Sequence, residues 1–160
     1  MKQLISSRLA PARQAAFAAL LAVERGAWSA EALAAKSVQL DSRDAGLASD
    51  IVFGTLRRRG ELAVLIAKYS SRAVTKLDAV VRIALEMGLY QLRFLNRVPD
   101  HAAVNDSVEL ARRAGKASAA AFVNAVLRRA TRELVEVPET ASTPAWLLDR
   151  WIAQYGPATA

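Results

Sequence analysis

The amino-acid sequence predicts an all-α protein. Apolar residues return at three- and four-residue intervals along almost the whole 160-residue chain, and alternating β-branched runs are nearly absent. Proline near the starts and glycine just past the ends punctuate the periodic stretches, as helix boundaries require. The length suits one domain, and 53% hydrophobic residues suffice for a core without covalent staples.

Pro11 and Gly26 bracket the first helix, whose inner face carries Phe17, Leu20 and Leu21. A short helix follows over Ser29–Lys36, with Leu33 inward. Asp41 can cap a third helix, with Asp44 adding negative charge to its amino end. Its buried stripe is Leu47, Ala48, Ile51, Val52 and Thr55, and Arg57, Arg58 and Arg59 stand at its carboxyl end before Gly60. A fourth helix over 61–69 turns Leu62, Leu65 and Ile66 inward. The central helix runs from about Lys76 to Leu95, with Val81, Leu85, Gly88 and Leu92 on one face and Asp78, Arg82 and Glu86 in four-residue ion pairs opposite. Pro99 stops what precedes it. A sixth helix spans about Ala102–Ala114, ended by Gly115, and a seventh carries Ala119, Phe122, Val123, Val126, Leu127, Ala130 and Leu134 inward. Residues 138–144 read as a linker, and Trp146 to Tyr155 as one more short helix before Gly156.

The composition excludes several kinds of chemistry. There is no cysteine, hence no disulfide, thiolate metal site or cysteine nucleophile, and a reducing compartment, by default the cytoplasm, is expected. A single histidine offers no metal-ligand spacing, so no metal is expected. Seven scattered glycines and no strand leave no seat for a nucleotide or adenosyl cofactor. The apolar stretch Ala15–Val23 is too short to span a membrane, and Met1–Arg8 reads as no export signal. What remains is a folded basic domain of net charge +7, a property shared by many nucleic-acid binders.

The polar candidates divide into structural and cationic groups. His101, at a helix entrance after Pro99, is expected to hydrogen-bond open backbone groups. Asn105 and Asn124 sit within apolar helical patterns, where asparagine is a poor helix former, and are expected to fix packing register through their amides. Gly54 and Gly88 imply close helix approach. Arg8 and Arg13 lie at the first helix's amino end, where positive charge opposes the dipole and an external anion would explain it. Arg57 and Arg58, the group Arg112, Arg113 and Lys116, and the group Arg128, Arg129 and Arg132 complete the candidate phosphate contacts. With aromatic residues at 6%, backbone contact is favoured over base readout.

Gly-Leu-Tyr-Gln-Leu (88–92), Val-Pro-Asp-His-Ala-Ala-Val-Asn (98–105) and Phe-Val-Asn-Ala-Val-Leu-Arg (122–128) together resemble the NusB-like domain that begins ribosomal RNA cytosine methyltransferases of the RsmB (Sun/Fmu) family. Pro144-Ala-Trp-Leu-Leu-Asp-Arg-Trp-Ile-Ala-Gln-Tyr (144–155) is similar to the segment that leads into the catalytic region there, whereas free-standing NusB antitermination factors ordinarily end earlier. The resemblance implies two small helical bundles packed across each other, about seven helices with a short C-terminal one, dividing near residues 69–76. It implies a NusB-like RNA-binding domain over 1–137 and a linking segment over 138–160. The implied partners are small-subunit ribosomal RNA and a C-terminal methyltransferase domain of the same polypeptide. S-adenosylmethionine and two catalytic cysteines would belong to that domain, so no catalytic residue is expected here. In NusB proteins the basic amino end of the first helix contributes to RNA contact, a role that maps to Arg8 and Arg13. Two other readings stay open: an antitermination factor, and a docking module whose arginines serve solubility or intramolecular contacts.

Overall fold

The computed structural model describes residues 8–157; the export-signal reading of Met1–Ser7 lies outside them. Eight α-helices form among the described residues, with no strand: α1 (Pro11–Glu24), α2 (Ser29–Ser37), α3 (Ser42–Arg57), α4 (Arg59–Ser70), α5 (Ala79–Phe94), α6 (Asp100–Ala111), α7 (Ala120–Arg132) and α8 (Ala145–Tyr155). The first three pack on one another as one bundle, and α5, α6 and α7 with α4 form the second. α5 touches both, through α1 and α3 on one side and α4, α6 and α7 on the other.

That position explains why α5 is buried on every face from Ile83 to Gln91 rather than along one stripe. Two glycines let helices close on it. A Cβ at Gly88 would stand 2.7 Å from Leu127 of α7 and 2.9 Å from the Ser107 hydroxyl of α6, and one at Gly54 of α3 would stand 2.0 Å from the Tyr90 ring. The expected helix caps also appear where backbone N–H groups need an acceptor. The Asp44 N–H donates to Asp41 Oδ1 at 2.8 Å, and the Val80 N–H to Asp78 Oδ1 at 2.9 Å. Because Asp78 is a cap, α5 begins at Ala79 and not near Lys76; Val74–Lys76 is a separate 3₁₀ turn.

Charge placement departs most from the sequence reading. Arg59 does not end α3; it opens α4, and its guanidinium reaches Glu86 and Glu24, both at 3.2 Å. Arg82 pairs with Glu86 at 3.3 Å and also with Glu24. The Arg82–Glu86 pair expected on α5 therefore forms, as part of an ion-pair cluster joining α1, α4 and α5 around a buried carboxylate. Burial pushes the Glu86 carboxyl above its usual value of 4.5, against the pull of Arg59 and Arg82.

Other boundaries shift for local reasons. α6 ends at Ala111, and the chain turns through Arg112–Lys116 with Gly115 in the left-handed region at φ 85°. Leu134, expected inside, is 80% exposed because α7 stops at Arg132. The 138–144 linker is not loose: Glu139–Ser142 forms a 3₁₀ turn against α4, where the Glu61 N–H donates to Ser142 Oγ at 3.0 Å. A Cβ at Gly60 would fall 2.1 Å from the Ala141 carbonyl oxygen, so the turn sits directly on the α4 backbone. No helix of the described residues is long and apolar enough to cross a membrane.

Gly54→Ala is expected to lower stability by about 1–3 kcal/mol by displacing Tyr90, read as a reduced denaturant midpoint. Because the folded-state pKa of Glu86 is raised, neutral Glu86 favours the native state, and that contribution is present below about pH 4.5 and lost as pH rises through the folded value. Relative to Glu86→Gln, the wild-type protein should therefore lose stability over that rise. Parallel midpoints for the two proteins at every pH would refute the assignment.

Candidate nucleic-acid interface

The amino end of α1 is open. Ala10 occupies its cap position without a side-chain acceptor, and the first turn holds no acidic residue. Pro11 has no N–H, the Arg13 and Gln14 N–H groups donate to the Ala10 carbonyl and Ala12 is buried, so what this end offers an anion is the positive pole of the helix dipole. Arg13, one turn in, answers an internal anion instead of an external one. It is only 7% exposed, its Nε donates to Gln91 Oε1 of α5 at 2.5 Å, and its terminal nitrogen pairs with Asp106 of α6 at 3.0 Å. The Ala10 N–H also donates to Asp106, at 3.4 Å. Arg13 is thus removed from the candidate contacts: a guanidinium locked in this way ties three helices together.

Arg8 remains exposed beside the same helix end, and the structure surrounds that end with cations the sequence reading did not select. Arg8 and Lys36 line a depression of about 530 Å³ with Pro11, Gln14 and Leu40. On the other side, Arg43 and Arg97 line one of about 550 Å³ with Ala10, Arg13 and Pro99. Asp41 and Asp44 border it too, yet neither Arg43 nor Arg97 forms an ion pair among the described residues. Arg43, like Arg8, stands at a helix amino end against the dipole, in the first turn of α3, and is legible in the sequence on that ground. Arg97 and Lys36 carried no such signal; only folding brings the loop before Pro99 and the end of α2 to α1.

The other predicted cations are mostly engaged. Arg58 pairs with Glu61 at 3.0 Å while its guanidinium lies 4.0 Å from the Phe94 ring centroid. Arg112 and Arg113 both hold Glu109, at 3.0 and 2.8 Å, and Lys116 holds Asp78 at 2.9 Å. The Arg113 and Arg112 hydrogen bonds keep the Glu109 carboxyl below its usual range, and Lys116 does the same for Asp78. Arg129 bridges Glu133 at 3.0 Å and the Tyr69 carbonyl at 3.1 Å. Arg57, Arg128 and Arg132 are exposed without a carboxylate partner among the described residues, Arg128 donating only to Asn124 Oδ1 at 3.2 Å.

The three residues expected to be structural behave otherwise. His101 and Asn105 are exposed and make no side-chain hydrogen bond among the described residues, and the Asn124 amide binds a residue of its own helix. No asparagine amide fixes helix register here. Buried polar anchoring of the kind expected from them comes instead from Gln91, whose Nε2 donates to the Met87 carbonyl while Oε1 accepts from Arg13.

The NusB family model matches residues 10–132, the whole of α1 to α7 apart from their flanks. The chain belongs to the NusB family. It is 43% identical over 122 residues to ribosomal RNA small subunit methyltransferase B of Pseudomonas putida, a match covering 76% of this chain and 28% of that protein. To the enzyme of the same name from Xylella fastidiosa (strain Temecula1) it is 37% identical over 154 residues, covering 95% of this chain and 36% of that one. The chain thus spans about a third of the length of these curated relatives. A crystal structure of antitermination factors NusB and NusE in complex with dsRNA superposes with a TM-score of 0.69 at 25% identity, covering 76% of this chain and 94% of that one. Residues 98–105 and 122–128 lie on α6 and α7 and their approaches, and these two helices cover α5.

Arg13→Ala is expected to destabilise the fold by about 3–5 kcal/mol, because Asp106 is left buried and uncompensated. Arg8→Ala should leave the midpoint of urea unfolding unchanged within error. Equal, small effects from both substitutions would show that Arg13 is not a structural tie.

Proposed function

We propose that this NusB-family protein is the RNA-binding, non-catalytic part of a small-subunit ribosomal RNA methyltransferase, binding the phosphate backbone at the amino end of α1. The observation that carries this reading is a group of four cations without carboxylate partners among the described residues, Arg8, Lys36, Arg43 and Arg97, around a helix end with no side-chain cap, while the cations of the α6–α7 turn are spent on Glu109 and Asp78. Polyanion binding by such a set releases counterions, and the dipole of α1 adds to the side chains. Arg57, Arg128 and Arg132 are secondary contacts; Arg58, Arg112, Arg113, Lys116 and Arg129 would have to exchange an internal partner for a phosphate and contribute less.

Kinship with the methyltransferases of Pseudomonas putida and Xylella fastidiosa supports the ribosomal RNA target and a cytoplasmic setting, and the NusB complex with dsRNA supports RNA as the ligand. Catalysis belongs to the larger part of such an enzyme. The described residues form no strand leading into a glycine-rich loop that would seat S-adenosylmethionine, and the chain has no cysteine to add to a cytosine ring.

Binding to a small-subunit ribosomal RNA fragment, followed by fluorescence anisotropy, should weaken on the order of a hundredfold between about 50 and 200 mM salt, as expected for neutralising about four phosphates. The Arg8→Ala/Arg43→Ala/Arg97→Ala variant should lower the logarithmic salt slope by about 2 to 3. A salt-independent wild-type response would overturn the proposal in favour of a docking module.

A further inference from the structure

His101 and Asn105 hold nothing inside the protein. Both are exposed on α6, and neither side chain hydrogen-bonds among the described residues. The helix turns Ala103, Ser107, Leu110 and Ala111 into the core, so the four-residue step from His101 to Asn105 puts the two together on its outward face, about 6 Å apart along the axis. Histidine and asparagine are poorer helix formers than alanine, a cost to the helix that no internal contact of theirs offsets. This polar strip has a definite neighbour. Arg97, Val98 and Pro99 line the depression beside the amino end of α1, and His101 stands in the first turn of the helix that begins directly after Pro99. Asp106, further along α6, grips Arg13 and accepts the Ala10 N–H, which fixes this helix against the same end of α1.

The chemistry of the two side chains selects what lies against them. A phosphate only accepts hydrogen bonds, and the cations of the groove answer that need. A carboxamide and a neutral imidazole each offer a donor and an acceptor, and the amide oxygen is repelled by a phosphate. The ribose 2′-hydroxyl donates and accepts at once, so it matches such groups on both counts, and it is the feature by which a protein tells RNA from DNA. Among the described residues neither depression at the start of α1 is lined by an aromatic side chain, so unpaired bases have no stacking platform there. Resting on the function proposed above, we infer that His101 and Asn105 are specificity-determining residues that contact ribose 2′-hydroxyls of the bound RNA. Phosphate contacts set the affinity and its salt dependence, and this strip sets the preference for RNA.

Anisotropy titrations can compare one small-subunit ribosomal RNA fragment with its 2′-fluoro counterpart, which keeps the A-form shape and the phosphates but has no hydroxyl. The wild-type protein is expected to bind the natural RNA on the order of tenfold more tightly, as for one or two lost hydrogen bonds. His101→Ala/Asn105→Ala should bind both about equally, at the weaker level, with the wild-type logarithmic salt slope and an unfolding midpoint no lower than that of the wild type. The Arg8→Ala/Arg43→Ala/Arg97→Ala variant should do the reverse, lowering the salt slope while keeping the preference for the hydroxyl. If its slope stays steep while the double variant still loses the preference, the inference holds and only the placing of the phosphates falls. Equal binding of the two RNAs by the wild-type protein overturns the inference. So does a preference that survives in the double variant, which would leave the strip to a protein partner, and so does a lowered midpoint in that variant, which would show that the two side chains support the fold.

Discussion

The ion pair between Arg13 and Asp106 is the contact on which the arrangement of the molecule depends. It joins the first helix of one bundle to the sixth helix of the other, and Gln91 of the central helix holds the guanidinium at the crossing. A buried charge without its partner is costly, so each of the three helices must arrive together for any to be satisfied. Apolar packing alone would allow two small bundles to slide across each other; a guanidinium with directional donors permits one register. The same crossing also shapes the surface, because the residues beside Arg13 at the start of α1 are held in place against α3 and the loop before Pro99.

Net charge says little about where a polyanion would bind, since many cations here hold internal carboxylates. Arg59 and Arg82 neutralise Glu24 and Glu86 between the bundles, and the α6–α7 turn consumes Arg112, Arg113 and Lys116. Positive charge is available where a cation holds no carboxylate among the described residues. Asp41, which accepts the Asp44 N–H at the start of α3, and Asp44 border the groove with Arg43 and Arg97, yet neither pairs with them. The uncapped end of α1 adds its own partial positive charge at the same place.

Much of the fold was legible because helix signals are local. Phe17 and Leu20, the Asp41 cap, the stripe Ala48, Ile51, Val52 and Thr55, and the stripe Val123, Val126 and Leu127 all fell where periodicity and capping chemistry placed them. The misreadings share one cause. Glu86 looked like half of an ordinary surface pair, Arg59 like the end of a helix, and Asn105 like a buried anchor, because a single helix cannot show which neighbour will cover a given face. The candidate site was only partly readable for the same reason. Arg8 was found by its place on one helix, whereas Lys36 and Arg97 join it from elements distant along the chain.

By itself, the order of residues determined the helical class, the approximate helix limits, the family to which the chain belongs and the absence of any thiol. These follow from periodicity, caps and residue identity, which act within a few positions. The tertiary structure alone decided which charges are free, which are buried and which face lacks a partner. Those properties depend on desolvation and on side chains brought together across tens of residues, as Arg13 and Asp106 are, and no local pattern encodes them.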